Sequence, residues 1–217
     1  SMDAAAWESV IPTMGYMALL RNLRNVDEAG VSKAAAAQVA ARLADPAQVA
    51  KSRQLPFRFW TAYREVANDR WKVALGDALE AACANIPSTL GGRTLVLVDT
   101  SASMDARMSA KSSVSRHEAA GLFGVAMAMR FGVENVDLYG FADFAYEHKL
   151  RKGASILTQV DSFYQTNGRA GYGTEIESSI KQAYKGHDRV VLFSDMQTMG
   201  SRYAGKSSQL VPAHVPF

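Results

Sequence analysis

Cysteine is almost absent: Cys83 is the only one in the chain. A single thiol cannot build an internal disulfide framework, so the fold must rest on its core, and the usage fits a reducing compartment. Long apolar runs are missing too. No stretch approaches the roughly 20 residues that span a bilayer. Ser1-Met2-Asp3 opens without the basic region and apolar run of a secretory signal. The expectation is a cytoplasmic protein with no membrane association, in which Ser1-Met2 is a cloning remnant outside the fold. Excess charge of one sign is also lacking. A formal net charge of +3 demands no polyanionic partner, although it permits a local basic face. Against these absences, 48% of residues are apolar, enough for an ordinary core. Cys83, in the helical-looking run from Leu79 to Asn85, reads as a small buried apolar residue.

The pattern changes near Gly91-Gly92. Before it, everything reads as helix. Trp7, Val10, Ile11, Met14, Met17, Leu20 and Leu23 recur at three- and four-residue spacing, with Pro12 marking a first turn or a kink. Ser32 to Leu43 predicts a second helix on the strength of its alanines. Asp45-Pro46 and Leu55-Pro56 each place proline at a first helical position. A last helix is predicted from about Arg70 to Ala84, burying Trp71, Ala74, Leu75, Ala78, Leu79 and Ala82. Residues 3–90 are therefore expected to form a stacked helical array.

After Gly92 strands and helices alternate. Thr94 to Val98 is a continuous apolar run, as in a strand buried on both faces. Arg116 to Phe131 predicts an amphipathic helix, Val136 to Phe141 a second strand, and Phe144 to Leu150 an antiparallel edge strand. Ala154 to Tyr164 and Thr174 to Tyr184 predict two more helices, and Asp188 to Ser194 a fourth strand. This order makes residues 91–217 an α/β domain with a Rossmann-like doubly wound sheet. Ligands of such sheets gather outside the carboxyl ends of the strands, where strand order reverses.

Oxygen side chains accumulate at that edge. The first buried strand runs into Asp99-Thr100-Ser101-Ala102-Ser103, three oxygen donors at every second residue. The fourth strand ends in Ser194-Asp195. Between them, Gly171-Tyr172-Gly173-Thr174 is a glycine-punctuated loop that offers the Thr174 hydroxyl. Taken singly, Asp99 and Ser101 read as helix caps and Asp195 as a turn residue. Taken together, Asp99, Ser101, Ser103, Thr174 and Asp195 make a hard-oxygen site for Mg²⁺, or alternatively Mn²⁺, rather than zinc or copper. Few carboxylates among neutral oxygens would leave such a metal electron-poor and ready to take a carboxylate from outside.

The run Asp99 to Met104, the downstream Gly173-Thr174 and Ser194-Asp195 resemble the metal-ion-dependent adhesion site of von Willebrand factor A domains. The resemblance implies direct coordination by Ser101 and Ser103, with Thr174 joining in one loop state. It implies that Asp99 and Asp195 act mainly through metal-bound water. Glu175 and Met196 stand where many members have Asp and Gly. The helical half narrows the family. Ile11 to Asn25, Lys51 to Phe59 and the entry into Gly91-Gly92-Arg93-Thr94 resemble the late helices of TROVE-module proteins, the Ro autoantigen family. That resemblance covers almost the whole chain. It implies a ribonucleoprotein component that binds small noncoding RNA of the Y RNA kind through a ring of helical repeats in the full-length protein, closed by the A domain. Only the last part of that array is present here, and the chain stops about where a fifth strand would begin, so the sheet is expected to be incomplete.

Arg21, Arg24, Lys51, Arg53 and Arg58 are candidates for an RNA-facing surface that attracts phosphates without reading bases. The plainer reading is a solvated face balanced by Asp27, Glu28, Asp45 and Glu65. Met104 to Arg116 reads as an ordinary surface loop or as a mobile loop beside the metal, and Tyr172 as a rim residue or simple loop packing. His117, His148, His187 and His214 are scattered, which suggests surface or capping roles. A non-enzymatic binding module is expected, its metal recruiting a protein partner through an acidic side chain. The alternatives are a protein-binding A domain with no RNA role, a structural remnant binding neither RNA nor metal, and a metal-dependent phosphohydrolase. The last would need a second Asp two residues after Asp99, where Ser101 stands.

Overall fold

The computed structural model describes residues 2–86, 91–110, 112–195 and 211–216. It divides into two compact units, Ser1–Asn85 and Ile86–Phe217.

The first unit contains α1 (Ala4–Val10), α2 (Tyr16–Glu28), α3 (Lys33–Ala44), α4 (Pro46–Ser52), α5 (Pro56–Glu65) and α6 (Lys72–Cys83). Asp3, Ser32 and Asp45 cap α1, α3 and α4 through their side-chain oxygens, and Pro46 and Pro56 open α4 and α5. α6 packs on α3, α4 and α5. Its buried residues are Ala74, Leu75, Ala78, Leu79, Ala82 and Cys83, preceded by buried Trp71. Asp27 ties α2 to the turn before α6: its Oδ1 accepts from Trp71 Nε1 at 2.6 Å and its Oδ2 from Asn68 N at 3.1 Å. The first apolar stripe departs from expectation. Instead of one kinked helix, a 3-10 turn at Ile11–Thr13 separates α1 from α2. Gly15 at the N-cap of α2 restarts the helical phase. The buried face of α2 is therefore Leu19, Leu20, Leu23 and Val26, while Met17 is exposed.

The second unit contains β1 (Thr94–Asp99), α7 (Arg116–Phe131), β2 (Val136–Phe141), β3 (Ala145–Glu147), α8 (Ile156–Tyr164), α9 (Ile176–Ala183) and β4 (Arg189–Phe193). The sheet order is β3-β2-β1-β4. β1 runs parallel to β2 and β4, and β3 is antiparallel to β2. β3 is shorter than the Phe144 to Leu150 run because Phe144 turns outward, exposed, at the hairpin.

Helices cover both faces. Leu95 and Leu97 of β1 join Tyr139, Phe141, Ile176, Ile180 and Val190 in one core cluster, with α9 on that side. Val96 and Val98 face α7, where a Cβ on Gly124 would stand 2.6 Å from a Val98 methyl. Both sets are fully buried, which is why β1 is apolar throughout. Val211 and Val215 add to the α9-side cluster, and the Pro216 carbonyl accepts from Val190 N at 2.9 Å along the outer edge of β4. The chain leaves β1 for β2 on one side and returns to β4 on the other. Strand order therefore reverses between β1 and β4, the place at whose carboxyl ends ligands of such sheets gather. Among the described residues, no helix is long and apolar enough to cross a membrane.

Candidate metal centre

Asp99 is the last residue of β1, and Asp195 lies two residues beyond the end of β4. Because β1 and β4 pair in register, from Thr94 opposite Arg189 to Val98 opposite Phe193, both carboxylates come to one rim. A continuous set of hydrogen bonds links them. Ser194 Oγ donates to Asp99 Oδ2 at 2.6 Å, and Ser101 N donates to Asp99 Oδ1 at 2.9 Å. The Ser101 and Ser103 hydroxyls lie 3.2 Å apart, and Ser103 Oγ donates to Asp195 Oδ1 at 3.3 Å. Asp99, Ser101, Ser103 and Asp195 are thus brought together directly.

The loop that precedes Thr174 is joined to the hydroxyl loop through the backbone. Ala102 N donates to the Tyr172 carbonyl at 3.1 Å, which ties the glycine loop to the hydroxyl loop, and Thr174 is buried. The two glycines are there for Asp143. Its Oδ1 accepts from Gly173 N at 2.9 Å. A Cβ on Gly171, whose φ is +84°, would meet Asp143 Oδ2 at 1.8 Å. Asp143, in the β2–β3 turn, therefore latches the loop that carries Thr174. Tyr172 stands out from that loop, 65% exposed, as a rim residue.

The donor set is chemically consistent. Asp99 is completely buried, and a buried carboxylate is costly unless a cation balances it. Among the described residues Asp99 has hydrogen-bond donors and no ion-pair partner. Asp195 has one: Arg116 Nη1 donates to its Oδ2 at 2.7 Å. Among the described residues no three His, Cys, Asp or Glu side chains group as metal ligands, and the other oxygens of this cluster are the Ser101 and Ser103 hydroxyls. Two carboxylates with two serine hydroxyls and a buried threonine fit a hard divalent cation of the Mg²⁺ type.

Two contributors escaped the sequence reading. Arg116 was visible as part of Ser115-Arg116-His117-Glu118, a capping-box pattern that the structure forms. A cation in a first helical turn opposes the helix dipole, and that conflict is the sequence signal of a carboxylate held elsewhere. Asp143 carried no local signal beyond its place in a turn. The histidines need correction. His117 and His187 are buried rather than at the surface. The Nδ1 of His187 accepts from Lys185 N, so its Nε2 carries the proton and donates to Asp137 Oδ2 at 2.8 Å. His117 and His148 both pack against Phe163, with ring centroids 6.0 and 5.2 Å away. Burial lowers the pKa of both, and for His117 nearby Asp105, Glu118 and Asp99 oppose that shift.

On the helical unit, Arg24 is neutralised by Glu65 at 3.1 Å and Glu28 at 3.6 Å. Arg21, Lys51, Arg53 and Arg58 are exposed. Asp27 and Asp45, expected to balance them, are occupied elsewhere: Asp27 by Trp71 and Arg70, Asp45 by Gln48 and Ala47 N. Lys51, Arg53 and Arg58 fall at the α4–α5 junction, with Arg58 over the Phe57 ring at 5.0 Å.

Similarity to known proteins extends across both units. The family model for the TROVE domain matches residues 2–117, a span that holds the helical unit, β1, Asp99, Ser101, Ser103 and Arg116. The crystal structure of the Deinococcus radiodurans Ro (RSR) protein is similar in fold, with a TM-score of 0.64 and 20% sequence identity. The similarity covers 93% of this chain and 44% of that one, so the chain spans less than half the length of that relative. No curated protein matches this chain at a significant level.

Proposed function

The chain belongs to the TROVE-domain family, and from that premise we propose a non-enzymatic binding module of a Ro-like, cytoplasmic ribonucleoprotein. Asp99, Ser101, Ser103, Thr174 and Asp195 would hold Mg²⁺, with Mn²⁺ as the alternative ion. The bound metal would supply a Lewis-acidic position for a carboxylate from a protein partner. The observation that carries this reading is the hydrogen-bonded run from Asp99 through the Ser101 N–H, and from the Ser101 hydroxyl through that of Ser103 to Asp195. The chain's own contribution is to orient those oxygens: Ser194 and Ser101 N fix both oxygens of Asp99, and Asp143 fixes the Thr174 loop.

RNA contact is assigned to the helical unit. Arg21, Lys51, Arg53 and Arg58, which form no ion pair among the described residues, supply positive charge on α2 and at the α4–α5 junction, suited to phosphates of a small noncoding RNA. Arg24 contributes less, because two glutamates already hold it.

Calorimetric titration with MgCl₂ tests the metal site. Ser101→Ala and Asp99→Asn are expected to abolish the binding seen with the unaltered chain while circular dichroism stays the same. Retention of unaltered Mg²⁺ binding in both variants would refute the assignment.

A further inference from the structure

Arg116 is placed where its charge works against its own helix. It is the first residue of α7, and a cation there meets the positive end of the helix dipole. The capping box does not need it, since Ser115 Oγ accepts from Glu118 N and Glu118 accepts from Ser115 N. Its backbone is pinned nonetheless. Arg116 N donates to the Ala106 carbonyl at 2.9 Å, and Arg107 bridges to Ser115 beneath it. The guanidinium is thereby delivered to Asp195, 79 residues away in sequence, at 2.7 Å. The other oxygen of that carboxylate belongs to the hydroxyl cluster through Ser103. Asp195 is 11% exposed and Arg116 37%, so the pair sits at the lip of the site with its carboxylate inside.

We infer that Arg116 competes with the divalent metal for Asp195 and so holds down the affinity of the site for its cation. The inference rests on the metal reading above. One carboxylate serves two cations from its two oxygens. The guanidinium cancels one of the two formal negative charges that Asp99 and Asp195 bring, and it adds a positive charge beside the position a metal would take. Both effects disfavour a divalent ion, and both are magnified where water is partly excluded. An arginine is charged at every accessible pH, so the competition is permanent. One effect runs the other way: the guanidinium also orients Asp195. Freezing one short side chain is worth less than removing a full charge at contact distance, so competition outweighs positioning. The metal stays exchangeable instead of becoming a permanent part of the fold.

The test is a MgCl₂ titration of the full chain, followed by calorimetry and by the shift in melting temperature, with Arg116→Gln and Arg116→Lys beside the unaltered protein. Glutamine keeps a hydrogen-bond donor without the charge, and it should tighten Mg²⁺ binding about tenfold or more. Lysine keeps the charge and should remain within about threefold of the unaltered chain. If the glutamine variant binds Mg²⁺ equally or more weakly while the unaltered chain binds it, the competition is overturned and the metal reading stands. If folded samples of all three show neither heat nor thermal shift, the metal reading falls and takes this inference with it.

Discussion

Arg53 is the one non-glycine residue among those described whose backbone enters the left-handed region, with φ of 52°. It terminates α4, a position where glycine is the usual solution because a Cβ makes that conformation costly. An exposed arginine kept there at the expense of stability is consistent with a role for its charge. Arg53→Gly is expected to raise stability by about 0.5–1 kcal/mol and to weaken binding of a small structured RNA, with a shallower dependence on salt. Denaturant unfolding and fluorescence anisotropy measure the two effects separately. Higher stability with unchanged RNA affinity would remove Arg53 from the RNA surface. At the same scale, the site depends on neighbours of its ligands: Asp143 has no place in the oxygen set yet holds the loop that presents Thr174.

At the scale of elements, the contact of α7 with β1 decides how the site is framed. α7 carries Arg116 at its start and Gly124 in its middle, and Gly124 lets the helix approach Val96 and Val98. Gly124→Ala would gain about 1 kcal/mol in helix propensity and lose about 1–3 kcal/mol by overpacking against a buried strand. Gly124→Val adds more volume without the propensity gain, so it should destabilise clearly. Chemical denaturation of both variants checks the order, and a neutral Gly124→Val would show that α7 can move away from the sheet without cost. Elements were legible where period and caps agreed. The Thr94 to Val98 run announced a doubly buried strand, and Asp45-Pro46 announced the start of α4. The face of α2 was not legible, because the break at Ile11–Thr13 resets the helical phase, which a continuous stripe of apolar residues conceals.

At the scale of the whole molecule, two imidazoles make folding stability depend on pH. His117 and His148 have their Nε2 atoms buried without hydrogen-bond partners among the described residues, and burial lowers the pKa of each. Their ordinary value of 6.5 applies once the chain unfolds. The unfolded chain therefore binds more protons below that value, and stability falls as pH drops. Full stability is expected above the ordinary value and a progressive loss as pH falls from there toward the lowered folded values. Melting temperatures between about pH 7.5 and 5.5 read this window before most carboxylates titrate. His117→Phe should flatten the slope, since phenylalanine keeps the contact with Phe163 and takes up no proton. An unchanged slope would assign the effect to His148 or to other groups.

Local patterns were enough to determine that the chain is helical up to Cys83 and α/β from Thr94 onward, and that oxygen side chains follow two strand ends. Hydrophobic period, caps and strand-terminal residues are properties of neighbours in sequence, so they are written there. Only the tertiary structure decided that Asp99 and Asp195 share one rim, because that depends on β4 pairing with β1 across the reversal of strand order. It alone decided that Arg116 reaches Asp195 and that Asp143 latches the glycine loop. Those contacts join distant stretches through backbone direction and packing, and no short-range periodicity encodes them.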